Sequence, residues 1–454
     1  MSFNILNSLP IVISFIIITG CNNNLGSTTN NTSNQLQPSN IQRVISVKNT
    51  DIQSDLQLIL DKLVESKDAK EAHITGIPLT FQCKEFNNNT PVSLATGKIS
   101  DQSDVTLPID AIYQIGSETK SFTAVIALRL ASEGLFGSNG LDNTVGKILG
   151  NNVYPNWNDI TLRQLLNMTS GIPNDNSTVG PLYADNPYRK FTTEDILALI
   201  SNMKLDFTPG TNYNYSNTGY VLMNKIIDKV ADVEAKKTGN ALKYYITKYI
   251  TGLDKLNLTH TYYVENIPEN AITIEYQKSL LMSGYFMKDN PKTKYLYPRV
   301  DIKSYSLSFA NAAGSIISDT ADLHTYIKAL FTPGVLLNEK ELKELTTFVS
   351  MSDTSQYKAG QTMSGDVDKT TQMAYGLGIM EGYFELSNGQ AIIMYMHEGS
   401  TPGFNSLWEY QKNGNASFTY TTNSDSILSG KIIYALHENL LEKISKDCLL
   451  PLMK

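Results

Sequence analysis

Ser117 and Lys120 have the types and spacing for covalent chemistry. They stand in Gln114-Ile-Gly-Ser-Glu-Thr-Lys-Ser-Phe-Thr123. A β-leaning run, Ala111-Ile-Tyr-Gln-Ile115, ends at a glycine. An apolar run follows through Phe122, Ala124, Val125, Ile126, Ala127, Leu128, Leu130 and Ala131, with Arg129 as its only charge. That pattern predicts a buried helix rather than an amphipathic one. Residues three apart on a helix share a face, so the Lys120 amine can reach the Ser117 hydroxyl. A serine hydroxyl is a poor nucleophile until its proton is removed. A lysine desolvated at a buried helix end sheds its charge and can serve as that base or as a relay. The helix N-terminus favours negative charge developing beside it. This is Ser-x-x-Lys chemistry. Two other such spacings exist, Ser201–Lys204 and Ser355–Lys358, but neither follows a strand and opens an apolar helix.

Acyl transfer at Ser117 also needs a proton shuttle, donors for an oxyanion and groups that hold the substrate. Tyr215-Ser-Asn217 follows the turn Phe207-Thr-Pro-Gly210 and precedes a helical pattern. This placement suits side chains aimed into a cleft. A phenol near a lysine can have a depressed pKa and act as a base. The Asn217 amide both donates and accepts hydrogen bonds. His397-Glu-Gly399 ends the apolar run Ile392–Met396, and an edge strand there could lie along a peptide. Gly399 would allow a substrate backbone to approach closely. The N–H of Ser400 would join that of Ser117 in an oxyanion hole, with His397 a neutral or weakly cationic donor nearby. Lys237-Thr-Gly239 follows a lysine-rich helix end and reads as an ordinary C-cap. Tyr154-Pro-Asn156 reads as a turn.

The elements that must position these groups come from both ends of the chain. Ile77–Cys83 and Val92–Gly97, joined by Asn87-Asn-Asn-Thr90, predict a hairpin. Strand signals return at Tyr375–Ile379, Ala391–Met396, Phe404–Tyr410 and Ala416–Thr421, before a last helix over about 426–445. Helical segments lie between, including Ile160–Asn167 with a Thr161 cap, Tyr220–Val230 and Asp319–Leu330. The expected class is α+β, an antiparallel sheet flanked by helices with an inserted helical domain. Its mixed part is about 51–130 and 370–454, and its helical part about 131–369.

Composition narrows the function. The net charge is −7 with no lysine/arginine cluster, which argues against nucleic-acid binding. Five scattered histidines and three cysteines show no metal-ligand spacing, so neither a metal nor a cofactor is expected. Residues 1–20 hold Ile11-Val-Ile-Ser-Phe-Ile-Ile-Ile18, too short to span a membrane and typical of a signal segment. Ile18-Thr-Gly-Cys21 resembles a bacterial lipobox, which makes Cys21 a lipidation site, although no Lys or Arg precedes the apolar run. Residues 21–50, rich in Asn, Ser and Thr, read as a tether. The expected protein is exported and membrane-anchored, facing the periplasm or cell surface. Cys83 and Cys448 could pair there, but two buried thiols are the expectation.

Together these stretches resemble the serine β-lactamase and penicillin-binding family, in the branch of class C β-lactamases and DD-peptidase-like hydrolases. The resemblance runs from about 50 to 445. It is carried by Ile115–Thr123, Ile160-Thr-Leu-Arg-Gln-Leu-Leu166, Thr169-Ser-Gly-Ile172 and Phe207–Tyr220. Ala312–Leu323, Tyr375-Gly-Leu-Gly378 and His397–Phe404 complete it. It implies that Ser117 is acylated, Lys120 is its proton partner and Tyr215 is the general base and acid. It also implies that Asn217 binds the substrate amide and that His397 and Gly399 fill the third motif. The implied substrates are D-alanyl peptides or β-lactam amides; an esterase or D-amino-acid amidase is the alternative, and a non-catalytic peptide binder the third reading. Class C enzymes usually carry Lys-Thr-Gly where this chain has His-Glu-Gly. Glu398 would repel a substrate carboxylate unless strand alternation turns it away.

Overall fold

The computed structural model describes residues 45–84, 86–286, 300–386, 388–444 and 448. The apolar leader, Cys21 and residues 22–44 of the tether lie outside these. The first helix, Ile45–Val64, reaches back into the stretch read as tether.

Strands from both ends of the chain share one sheet. β1 (Gly76–Cys83) and β2 (Val92–Gly97) form the expected hairpin. Its turn carries positive φ at Asn87, Asn88 and Asn89, a conformation asparagine tolerates better than branched residues do. Three short strands, β3 (Tyr113–Gln114), β4 (Tyr262–Tyr263) and β7 (Ile316–Ser318), make a second sheet. β5 (Tyr285–Phe286) pairs with β6 (Val300–Asp301). The remaining strands are β8 (Val349–Ser350), β9 (Met373–Tyr375), β10 (Met380–Glu385), β11 (Ala391–Thr401), β12 (Phe404–Gln411) and β13 (Ala416–Thr422). The large sheet runs β2-β1-β13-β12-β11-β10-β9-β8, antiparallel throughout. The stretch 131–369 therefore holds helices and also β4 to β8.

Two helical layers cover this sheet. On one face Thr80 Oγ1 donates to Thr320 Oγ1 (2.8 Å) and His324 Nε2 meets Ser417 Oγ (2.9 Å), which seats the helix Thr320–Leu330. On the other, His437 of the last helix, Ile427–Ile444, lies 2.9 Å from Glu409. The last helix is tied to the first by Lys443 and Asp55 at 3.0 Å. Covered on both faces, β1 and β13 are buried along their whole length.

The apolar run after Ser117 is the helix Thr119–Ser132, buried from Thr119 to Leu128. Phe122 stacks on Tyr326 at 3.7 Å between ring centroids. Each such fully buried side chain contributes about 1.5–3 kcal/mol. The strand expected over Tyr375–Ile379 stops at Tyr375. Gly376–Ile379 is a turn, closed by Gly376 N–H to Ile379 O at 2.8 Å, and leads into the unanticipated β10. Cys83 and Cys448, expected as thiols, form a disulfide with Cα atoms 5.2 Å apart. The hairpin and the chain's last described residue lie side by side, an adjacency that 365 residues of separation hide from the sequence.

Candidate active site

Ser117 sits in a 3₁₀ turn, Gly116–Glu118, between β3 and its helix. Gly116 has φ +51°, and a Cβ there would lie 2.7 Å from the Ser400 nitrogen. Only glycine lets this turn adopt a left-handed conformation against the β11 main chain. Lys120, with no exposed surface, lies one turn on. Its Nζ is 2.9 Å from Ser117 Oγ and 2.8 Å from Ala313 O. Burial pushes the Lys120 amine well below the usual lysine range, and the Asp175 carboxylate opposes that fall. A neutral amine can donate to the Ala313 carbonyl and offer its lone pair to the serine hydroxyl.

Tyr215 comes in from the segment just before the helix Asn217–Val230. Its ring centroid is 4.8 Å from Lys120 Nζ, and the Ser117 hydroxyl is among the groups that act on its phenol. The expectation of a depressed phenol is not met. Burial raises Tyr215 above the normal tyrosine range; contact with Ser117 opposes this, while Glu398 and Asp175 reinforce it. Burial disfavours the charged form of each group, so it neutralises the amine and keeps the phenol protonated. Burial therefore favours a neutral Lys120 amine able to take a proton and a protonated Tyr215 phenol able to give one.

Asn217 opens the helix Asn217–Val230 behind Ser216, at its first turn rather than in the loop before it. Its N–H donates to Asn174 Oδ1 (3.2 Å) and its Nδ2 to Asn176 Oδ1 (3.0 Å), while its Oδ1 is buried without a partner. Between those two asparagines stands Asp175, 3% exposed, which the sequence reading missed. One of its oxygens has no hydrogen-bond partner, and burial lifts the carboxyl to about 6 against the pull of Lys120. Asn174-Asp-Asn176 looks like any polar turn in sequence, and only packing reveals it.

His397 is buried, with 1% of its surface exposed. Burial, with Lys120 nearby, pushes it down to about 3, so the ring is neutral. Its Nδ1 is 2.7 Å from Glu398 O and its Nε2 is 3.0 Å from the phenol of Tyr375, another residue given no role from sequence. A Cβ on Gly399 would fall 2.0 Å from Ile115 O and 2.3 Å from Ser406 Oγ. The close approach at Gly399 is thus made by the nucleophile's own strand, not by a substrate. Ser400 is exposed, and its main chain packs on Gly116. The register pairs His397 with Trp408 and Glu398 with Leu407, so Glu398 shares the face of Glu409 and His437, opposite His397. Glu398 is pushed up to about 7 by burial; the charge of His437 lowers it and Glu409 raises it.

A family model described as Beta-lactamase matches residues 87–433, most of the chain. The chain belongs to the Beta-lactamase family. Its members are serine hydrolases. The chain is 27% identical over 329 residues to Protein flp of Staphylococcus aureus (strain N315), covering 70% of this chain and 58% of that one. It thus spans a little over half the length of that curated relative. It is also 27% identical over 230 residues to Penicillin-binding protein 4* of Bacillus subtilis (strain 168), covering 50% of this chain and 46% of that one. Among solved structures it is similar to a D-stereospecific amidohydrolase from Streptomyces sp., at 28% identity and TM-score 0.62, covering 84% of this chain and 97% of that one. A D-amino acid amidase from Ochrobactrum anthropi SV3, complexed with D-phenylalanine, shares the fold at 21% identity and TM-score 0.66, over 87% of this chain and 99% of that one. Among the described residues no group of His, Cys, Asp and Glu could hold a metal ion.

Proposed function

We propose that this protein hydrolyses amide bonds of D-alanyl peptides, β-lactams or D-amino-acid amides through an acyl-enzyme on Ser117. The observation that carries this is the 2.9 Å contact of a wholly buried Lys120 amine with the Ser117 hydroxyl. Neutral Lys120 takes the proton as Ser117 Oγ attacks the carbonyl. The N–H groups of Ser117 and Ser400 receive the oxyanion. The protonated phenol of Tyr215 gives its proton to the leaving nitrogen, and the Lys120 ammonium restores it. Water then repeats the sequence on the ester. Asn217 holds the substrate amide, and Gly399 keeps β11 against the nucleophile's strand.

Among these substrates, one with a free amino group is favoured. Asp175 sets negative charge around Tyr215, which attracts an ammonium and repels a free carboxylate, whereas Glu398 faces the other side of β11. The likeness to the Streptomyces amidohydrolase supports the same choice. Rates on a D-amino-acid amide, a D-Ala-D-Ala peptide, a cephalosporin and a short p-nitrophenyl ester test it. The amide should lead; a preference for the ester would make the protein an esterase, and binding without turnover would make it a receptor.

Export as a lipoprotein through Cys21 belongs to the same proposal. The Cys83–Cys448 disulfide supports it, because such bonds persist in oxidising compartments. Labelling by a fatty acid that is lost in Cys21→Ser tests the anchor.

A further inference from the structure

β11 is a two-sided strand for only part of its length. Its pairing with β10 ends at Met380↔Met396, whereas its pairing with β12 continues to Thr401↔Phe404. From His397 onward one edge therefore lacks a neighbouring strand, and this stretch contains the Ser400 main chain that touches the Gly116 turn. On that open edge, something other than a sheet ladder must hold it. The imidazole of His397 is placed to do so. Its Nδ1 meets the carbonyl of Glu398 at 2.7 Å, and a carbonyl can only accept, so Nδ1 carries the hydrogen. In a neutral ring Nε2 is then the acceptor, and the hydrogen of its 3.0 Å contact comes from the Tyr375 hydroxyl. Both ring nitrogens are thereby used inside the protein.

We infer that His397 is a neutral positioning residue, protonated at Nδ1 and locked by the Tyr375 phenol, that fixes the Glu398–Gly399 peptide at the open edge of β11 and donates nothing to substrate. The inference deepens the proposed reaction and rests on it for its catalytic consequence: the locked peptide leads directly into the Ser400 N–H. The charges and phenols around the ring fit this assignment. Lys120 comes from the nucleophile helix, Tyr215 lies 6.5 Å away and Tyr375 5.8 Å away between ring centroids, and Glu398 turns to the opposite face. Tyr213 and Tyr215 both pack on Tyr375, at 5.8 and 6.1 Å, which holds that ring in place, and the Tyr220 phenol is a second neighbour of its hydroxyl.

Nitrogen-15 NMR of the imidazoles in the full chain tests this without turnover. The His397 signals, assigned by their loss in His397→Gln and their displacement in Tyr375→Phe, should show a protonated Nδ1 and a bare Nε2, unchanged from pH 5 to 8. A protonated Nε2 at neutral pH, or titration within that range, would overturn the inference. In kinetics, Tyr375→Phe should lower kcat on the order of 10²-fold with little change in KM, as displacement of a catalytic group does. His397→Asn, which can still donate to the Glu398 carbonyl, should recover part of the activity lost in His397→Ala. Equal losses in the two variants would contradict the positioning role. Failure of the wild-type protein to acylate Ser117 would instead remove the proposed reaction and leave the NMR result intact.

Discussion

Burial sorts the protons at the nucleophile. The same desolvation that lowers Lys120 raises Tyr215, so base and acid are set before substrate arrives. Activity should rise with pH as Lys120 loses its proton, with no fall from Tyr215 ionisation near neutrality. Asp175 makes this testable. Its carboxylate favours the ammonium, so Asp175→Asn should lower the Lys120 pKa further and move the rising limb of the kcat/KM profile to lower pH. An unmoved limb, or one moved to higher pH, would contradict the coupling. That Ser117, Lys120 and Tyr215 come together was legible in sequence, because the pairing depends on a short spacing and on turn placement. The order of their pKa values was not, because it depends on how deeply Tyr215 is covered. Asp175 and Tyr375 stayed hidden for the same reason: their partners, Asn217 and His397, are distant in the chain.

The site's geometry depends on β11 lying flush against the nucleophile's turn. Gly399→Ala should force its Cβ into the Ile115 carbonyl at 2.0 Å, with main chain on both sides of the clash. A cost of about 1–3 kcal/mol is expected, read as a lower unfolding midpoint, together with a loss of kcat as Ser400 moves. Wild-type stability and rate in this variant would show that the contact is slack. The sequence pattern identified β11, β12 and β13. It missed β10 because Met380-Glu-Gly-Tyr-Phe-Glu385 has no clean period. Its Glu381 is buried yet satisfied, by Lys412 at 3.1 Å and the Val367 N–H at 3.0 Å. A charged residue in a central strand reads as loop until its partner is seen.

Across the whole molecule the sheet joins chain segments that the sequence keeps far apart, and the α+β class was readable from strands at both ends with helices between. The disulfide was not, since two cysteines 365 residues apart carry no spacing signal. It closes the β1 hairpin onto the end of the described chain. Cys448→Ser should therefore destabilise the fold by about 2–5 kcal/mol, measured by denaturant unfolding, and added reductant should then have no further effect. The central claim is read most directly on the intact protein by mass spectrometry after exposure to a β-lactam and to an activated D-amino-acyl ester, with peptide mapping. One adduct on the peptide containing Ser117 is expected, with labelling reduced on the order of 10⁴-fold in a folded Ser117→Ala variant. An adduct on another residue, or undiminished labelling of that variant, would contradict the account.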